Sequence, residues 1–413
     1  MSDEKFVHRL KNGLILVAEP MPWLKSAAFT LLLPAGTSHE PEGLQGLCGM
    51  TVELCQRGAG NRDSRQIVEA LDFMGVERSC AASTFHTSFS VAVVAERLAE
   101  TLSIYADIVR SPHLPEDEVE ESRQTAIQEL LSIEDDPSHK VFTELKKLRY
   151  GHAHGRSPYG TAEGLDSAQL ANIVDFQSNH YVPNGAILSV AGKFDWEELI
   201  VLVEKLFGDW APSKTTDRQI VEVRAGQQHI QYDSSQTHIA LAFDCVPYQH
   251  SDFYQLRGLI SVLSDGMSSR LFTEVREKRG LVYSVSSSSQ TIGERGSVLT
   301  YAGTTGGRAQ ETLDVTIETI RSLNQGIAEG ELSRLKSRVK SALVMEQESS
   351  SSRSSQIASD WYYLGRIVPR QEVMAEIEAL TCDSLLKHYR EFPPTHWTLV
   401  TMGPEAVELK NAV

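Results

Sequence analysis

The sequence predicts an α+β protein of two homologous halves, each an antiparallel sheet flanked by long helices. Three observations carry this: a length of 413 residues, β-prone apolar runs followed by long amphipathic segments, and the recurrence of that order at a shift of 211 residues. A single hydrophobic core stops growing at roughly 250–300 residues, so length alone calls for two domains. The shift carries Arg97, Glu100, Thr101 and Leu102 onto Arg308, Glu311, Thr312 and Leu313. It also carries Arg110-Ser111 onto Arg321-Ser322, and SAAFTLLL (26–33) onto THIALAFD (237–244). Short matches are cheap singly; one shift that lays strand on strand and helix on helix marks a duplication.

The elements follow in order. GLILVAE (13–19) and SAAFTLLLPAG (26–36) are apolar runs bounded by turn residues and read as strands. GLCGMTVELCQRG (46–58) and SRQIVEALDFMG (64–75) have helical spacing, with Gly58 and Gly75 as stops. VERSCAAS and HTSFSVAVV (86–94) form a second strand pair. Long helices are expected near 96–111, 115–134 and 136–149, then one at 166–180, a strand at 186–192 and a helix ending by Phe207. The polar, turn-rich segment 209–218 is the linker between a domain over 1–208 and one over 219–413. Strands near 228–232 and 237–244, a helix at 251–264, strands near 281–290 and 296–304, long helices and a closing strand (396–403) repeat the order. The Ser-rich run 349–355 reads as helix, because Ile357 and Trp361-Tyr362 continue an apolar face.

Composition narrows the function classes. The chain has 39 Lys+Arg against 55 Asp+Glu, a net charge of −16. Nucleic acid and anionic membrane surfaces would repel it, so neither is an expected partner. No stretch approaches the roughly 18 apolar residues of a membrane span, and the start lacks a signal-peptide pattern. The five cysteines are scattered without CxxC spacing, which disfavours a disulfide framework or a Cys-based zinc site. A cytoplasmic location is the expectation.

The segment EPEGLQGLCGMTVELCQRGAGNR (40–62) resembles the zinc-site region of the pitrilysin/insulinase metallopeptidases, with a processing-peptidase-like character. GMSSRLFTEVREKRGLVYSV (266–285) is similar to their second-half motif, and NHYVPNGAILSVAGKFD (179–195) to the end of their first half. The resemblance implies two α+β halves closing like a clamshell around a peptide. Active members carry H-x-x-E-H on a first-half helix: two imidazoles ligate zinc, a Glu polarises the bound water, and a distant Glu is the third ligand. Here the histidine positions fall on Gly49 and Glu53 and the general-base position on Val52, so the motif is degenerate. Glu129, in AIQEL, stands at the third-ligand position. No metal site is expected in this chain.

In active relatives an Arg and a Tyr seven residues apart hold the substrate backbone and stabilise the oxyanion; Arg276 and Tyr283 match that pair. A cationic fork and a phenolic donor suit developing negative charge. The resemblance thus implies a non-catalytic subunit that binds peptide and completes the active site of a homologous H-x-x-E-H partner, in a heterodimer whose zinc sits in the partner. Two other readings remain: a structural or assembly protein of the same fold, and an active peptidase with a relocated metal site. His152 and His154, in a Gly-rich loop, and His86, in a strand, are expected to be structural. The turn at Asp265-Gly266 before Ser268-Ser269-Arg270 lacks the G-x-x-x-x-G-K-[ST] of a nucleotide-binding loop.

Overall fold

The computed structural model describes residues 5–213 and 220–410. The first half of the chain supplies β1 (Phe6–Arg9), β2 (Ile15–Pro20), β3 (Ser26–Leu33), α1 (Leu47–Cys55), β4 (Gly58–Ala59), β5 (Arg62–Asp63), α2 (Ser64–Phe73), β6 (Glu77–Ala82) and β7 (Thr87–Val94). It continues with α3 (Leu98–Arg110), α4 (Val119–Glu134), α5 (Pro137–His154), α6 (Ala162–Ser167), α7 (Leu170–His180), β8 (Ile187–Gly192) and α8 (Trp196–Phe207). The second half supplies β9 (Gly226–Gln231), β10 (Gln236–Cys245), α9 (Phe253–Ser264), β11 (Val282–Ile292), β12 (Arg295–Thr305) and α10 (Ala309–Arg321). Then come α11 (Glu329–Glu346), α12 (Ser350–Leu364), α13 (Arg370–Ala379), α14 (Cys382–Glu391) and β13 (Thr398–Gly403).

The duplication is visible residue by residue. β2 and β9, β8 and β13, and α3 and α10 share both their bounds at the 211-residue shift. Repeated residues also do repeated work: the Thr101 and Thr312 hydroxyls donate to the carbonyls of Arg97 and Arg308, at 2.8 and 2.9 Å. Arg97 pairs with Glu100, and Arg308 with Glu311, across the same turn.

Compactness does not follow chain order. One unit comprises Met1–Leu131, Ser157–Arg218 and Leu343–Pro369; the other comprises Ser132–Arg156, Gln219–Ala342 and Arg370–Val413. Helix α12 therefore belongs to the unit built mainly from the first half, and α5 to the unit built mainly from the second. These two helices occupy corresponding places in the repeat, so the halves have exchanged equivalent elements. Of the segment 209–218, residues 214–218 lie outside the described residues. Trp210 is buried in the first unit's core, and Ser213 exchanges backbone hydrogen bonds with the Asn184 amide at 2.9 and 3.0 Å.

The first unit's sheet has the order β1-β2-β8-β3-β7-β6 and is antiparallel except for β2 with β8. Alternate residues of a strand point to opposite faces. Leu16, Ala18, Phe29, Leu31, Leu33, Leu188 and Val190 enter the core shared with α1, α3, α7 and α8. Their neighbours Ile15, Val17, Leu32 and Ile187 pack on Ile357 and Ala358 of α12. Both faces are covered, which accounts for strands that are apolar throughout rather than alternating. The α12 contact also has a polar part. The Ser354 carbonyl accepts from the Ser189 hydroxyl at 2.7 Å, and Arg353 meets Glu19 at 2.7 Å with both side chains buried. Ser349 caps the Ser-rich helix, and the hydroxyls of Ser350, Ser354 and Ser355 reach Ser26 and Thr30 of β3.

The second unit's sheet has the order β11-β12-β10-β13-β9, again with a single parallel pair, β13 with β9. Helix α5 lays Val141 and Leu145 against Ala240, Ala242, Leu299, Val400 and Met402. Fully buried Arg149 secures its end, donating to the Ser297 hydroxyl, the His396 carbonyl, the Thr398 hydroxyl and the Asp244 carboxylate at 2.6–3.0 Å. The sequence reading differs at one helix: residues 166–180 are two elements, not one. The chain is extended at Ala168, and Gln169 restarts the helix with its N–H held by the Asn172 side chain at 2.9 Å.

Candidate functional site

Helix α1 is held at its start. Gly46, left-handed at φ 107°, precedes it, and a buried Glu40 carboxylate oxygen accepts the N–H groups of Gly46 and Cys48 at 3.0 Å each. Its apolar side (Leu47, Met50, Leu54) is buried, so Gly49 and Glu53, one turn apart, share the opposite side. A Cβ built on Gly49 would meet only the Pro158 carbonyl oxygen, at 3.6 Å. A side chain could start there without a clash; what is missing is a donor atom. Val52 is buried and has none either.

Glu53 is committed elsewhere. Its Oε1 accepts from the Arg57 Nε and Nη2 at 3.1 and 2.9 Å, while Arg57 Nη1 donates to Glu118 and Glu121 at 3.1 Å each. Burial opposes the Arg57 charge, but the bonds from Glu53 and Glu118 outweigh it, and its pKa is raised. Glu129, on α4, has its pKa raised by burial and then by the negative charge of Glu53. The cation among these carboxylates is thus an arginine. Among the described residues no group of three or more His, Cys, Asp or Glu side chains could hold a metal ion. The residues at the ligand positions do not fit zinc: Gly49 has no donor, Glu53 is engaged by Arg57, and Glu129 by itself is one carboxylate, while Val52 at the general-base position can move no proton.

Arg276 and Tyr283 lie together in the second unit. The chain forms a π-helical turn over Phe272–Glu277, passes Gly280 and enters β11, where a bulge interrupts the register between Val282 and Ser284. A bulge re-aims the residue it leaves unpaired. Tyr283 is that residue, and it is 83% exposed. The Arg276 guanidinium lies 4.9 Å from the Phe272 ring centre and 5.6 Å from that of Tyr283. Nearby Lys278 and Arg279 both pair with Glu274, at 2.6 and 3.1 Å. Among the described residues neither the Arg276 nor the Tyr283 side chain makes a hydrogen bond or an ion pair. Ring stacking uses the guanidinium face and leaves its N–H edge open.

The histidines stand apart from these sites. His86 packs on Tyr362 at 4.9 Å, and burial pushes its pKa down to about 4, so its ring is neutral at physiological pH. His154 is buried near the end of α5, beyond a kink where Gly151 takes φ 70°. Sequence reasoning missed the Arg57 cluster. The Glu53/Arg57 spacing of four residues was the available signal; the approach of Glu118 and Glu121 from sixty residues away was not legible.

Residues 17–162 match the family model described as Insulinase (Peptidase family M16), and residues 167–339 match the model for the Peptidase M16 inactive domain. The chain belongs to the M16 insulinase peptidase family. An uncharacterized zinc protease of Rickettsia felis is 26% identical to this M16 chain over 406 residues, covering 98% of each. The uncharacterized zinc protease YmxG of Bacillus subtilis is 28% identical over 397 residues, 95% of this chain and 97% of the relative. Two solved structures share the fold. The peptidase M16 inactive domain from Pseudomonas fluorescens superposes with a TM-score of 0.89 at 20% identity, covering 98% of this chain and 99% of that one. A protease from Helicobacter pylori gives 0.88 at 21% identity, covering 97% and 100%. No helix among the described residues is long and apolar enough to cross a membrane.

Proposed function

We propose that this M16 chain is a non-catalytic peptidase subunit: it binds peptide and completes the active site of a homologous partner that carries H-x-x-E-H and the zinc. The observation behind the reading is a contrast. The zinc site is chemically closed: Gly49 lacks a donor, Glu53 is bound to Arg57, and Val52 cannot serve as the base. The Arg276/Tyr283 pair is open, ordered by its rings and without competing carboxylates. An N–H edge fixed in place can donate to a peptide carbonyl and hold it more tightly as the oxygen gains negative charge; the Tyr283 hydroxyl supplies a second donor. Five free thiols, with Cys48 and Cys55 buried, fit a reducing, cytoplasmic setting.

The test is reconstitution. The purified chain should cleave no peptide by itself. Adding a homologous H-x-x-E-H chain from the same genome should give a one-to-one heterodimer with chelator-sensitive peptidase activity. Chelator-sensitive proteolysis by the isolated chain would overturn the reading. If a complex forms and replacing both Arg276 and Tyr283 leaves its activity intact, the chain is a scaffold instead.

A further inference from the structure

A cavity of about 360 Å³ opens in the second unit between the end of α9, the turn that follows it and α11. That volume lies within the range of small-molecule sites. Arg334 and Arg338, one turn apart on α11, both line it. Among the described residues neither is in an ion pair, and like charges at this spacing repel each other. The other charges in the wall are Glu331 and Asp265. Glu331 is already satisfied: Arg270 grips it through two bonds of 2.7 and 2.8 Å, and the Ala328 N–H adds a third at 2.8 Å. The free charge of the wall is therefore two guanidiniums against one exposed carboxylate.

Two features show that the wall is built rather than incidental. Ser269 lines the cavity and is 4% exposed, yet among the described residues its hydroxyl has no hydrogen-bond partner. A buried hydroxyl left unpaired is costly, and its cost is removed if a ligand oxygen meets it. Gly266, left-handed at φ 87°, lets the Arg338 guanidinium close on the backbone; a Cβ there would collide with Arg338 Nη1. The left-handed conformation of the turn favours glycine, and the Arg338 guanidinium lies directly against it.

We infer that this cavity is a binding site for a phosphate group, held by the Arg334 and Arg338 guanidiniums and by the Ser269 hydroxyl. Guanidiniums match phosphate oxygens through paired N–H donors. The volume leaves room for an organic body beyond the phosphate, with Asp265 at hand as an acceptor for its hydroxyl groups. The site takes no part in peptide hydrolysis and does not depend on the proposed subunit role.

Calorimetric titration of the full chain at constant ionic strength tests it, with inorganic phosphate in one arm and glucose 6-phosphate in the other, against a chloride control. Saturable binding is expected, with Kd below about 1 mM. Tighter binding of the sugar phosphate identifies a phosphate monoester as the ligand; equal binding identifies free phosphate. Replacing both Arg334→Gln and Arg338→Gln should weaken binding about 100-fold, and Ser269→Ala about 3- to 10-fold. Without phosphate, Ser269→Ala should melt at or above the temperature of the parent chain, because it removes an unpaired hydroxyl. The inference is overturned if neither phosphate saturates the chain, or if the arginine substitutions leave the affinity unchanged.

Discussion

Replacing Arg276 with Ala separates a catalytic contribution from a structural one, because the structure sets a ceiling on the latter. The side chain is exposed and its contacts are two aromatic rings, at 4.9 and 5.6 Å. Exposed cation–π contacts are worth about 0.5–1 kcal/mol each, so the substitution should cost folding no more than about 1–2 kcal/mol. Removing one donor to a developing oxyanion costs about 3–4 kcal/mol, or roughly 100- to 1,000-fold in kcat. Activity of the reconstituted complex should thus fall far more than stability, with subunit association unchanged. Arg276→Lys should recover only part of the loss, since an ammonium lacks the planar fork and stacks less well on the two rings. Steady-state kinetics beside urea unfolding and size-exclusion chromatography read all three quantities. A fall in kcat/KM of less than about threefold, worth under ~1 kcal/mol of barrier, would refute a catalytic role for Arg276.

Four further outcomes are expected. Arg149→Met should destabilise the fold by about 3 kcal/mol, the lower end for breaking a buried pair, because Asp244 is partly exposed and keeps His396 at 2.7 Å; urea unfolding showing a loss under ~1 kcal/mol would contradict it. Asp136→Ala removes the cap of α5 and should cost about 1 kcal/mol at neutral pH. Hydrogen bonding from Ser138 holds the Asp136 carboxyl far below its usual range, so this contribution is present above the unfolded pKa near ~3.9 and fades as pH falls below it; melting temperatures of both chains should converge in acid. Arg57→Ala strips the cation from Glu53, Glu118 and Glu121 and should cost about 1 kcal/mol at pH 7. Glu129 already has a raised pKa, so its ionised form opposes folding and stability is lost as pH rises through its folded value; the Arg57→Ala deficit should shrink toward acid, and a deficit independent of pH would exclude the electrostatic explanation. Chelation should leave the melting temperature of the isolated chain unchanged, since Gly49 offers zinc no donor and Arg57 holds Glu53, leaving Glu129 alone; a lowered value would reveal a structural metal.

Much of this protein could be read along the chain, because periodicity, turn chemistry and repetition are local properties. The 211-residue shift located β3 against β10 and α3 against α10, and Gly75 with φ 64° stops α2 as its position implies. The absence of donors at Gly49 and Val52 is a statement about residue types and needs no coordinates. The adjacency of Arg276 and Tyr283 was implied by resemblance; the π-helical turn that carries Arg276 and the bulge that exposes Tyr283 were not, the bulge because it depends on how β11 registers with β12.

Tertiary structure alone decided the rest. A helix's amphipathic face says that it must be buried but not against which sheet, and α5 and α12 each cover the sheet of the other half. Glu19 and Arg353 meet across 334 residues of chain, Arg149 and Asp244 across 95. Continuous apolar strands fit sheets covered on both faces, but which helices cover them, and that the second face is covered at all, belonged to long-range packing. The carboxylates around Arg57 and the arginines facing Ser269 are likewise assembled from separate helices and turns. Local sequence determines which elements form, because backbone preferences act over a few residues. Which elements share a core, and which charges are left facing a cavity, is settled only when the whole apolar surface is buried at once.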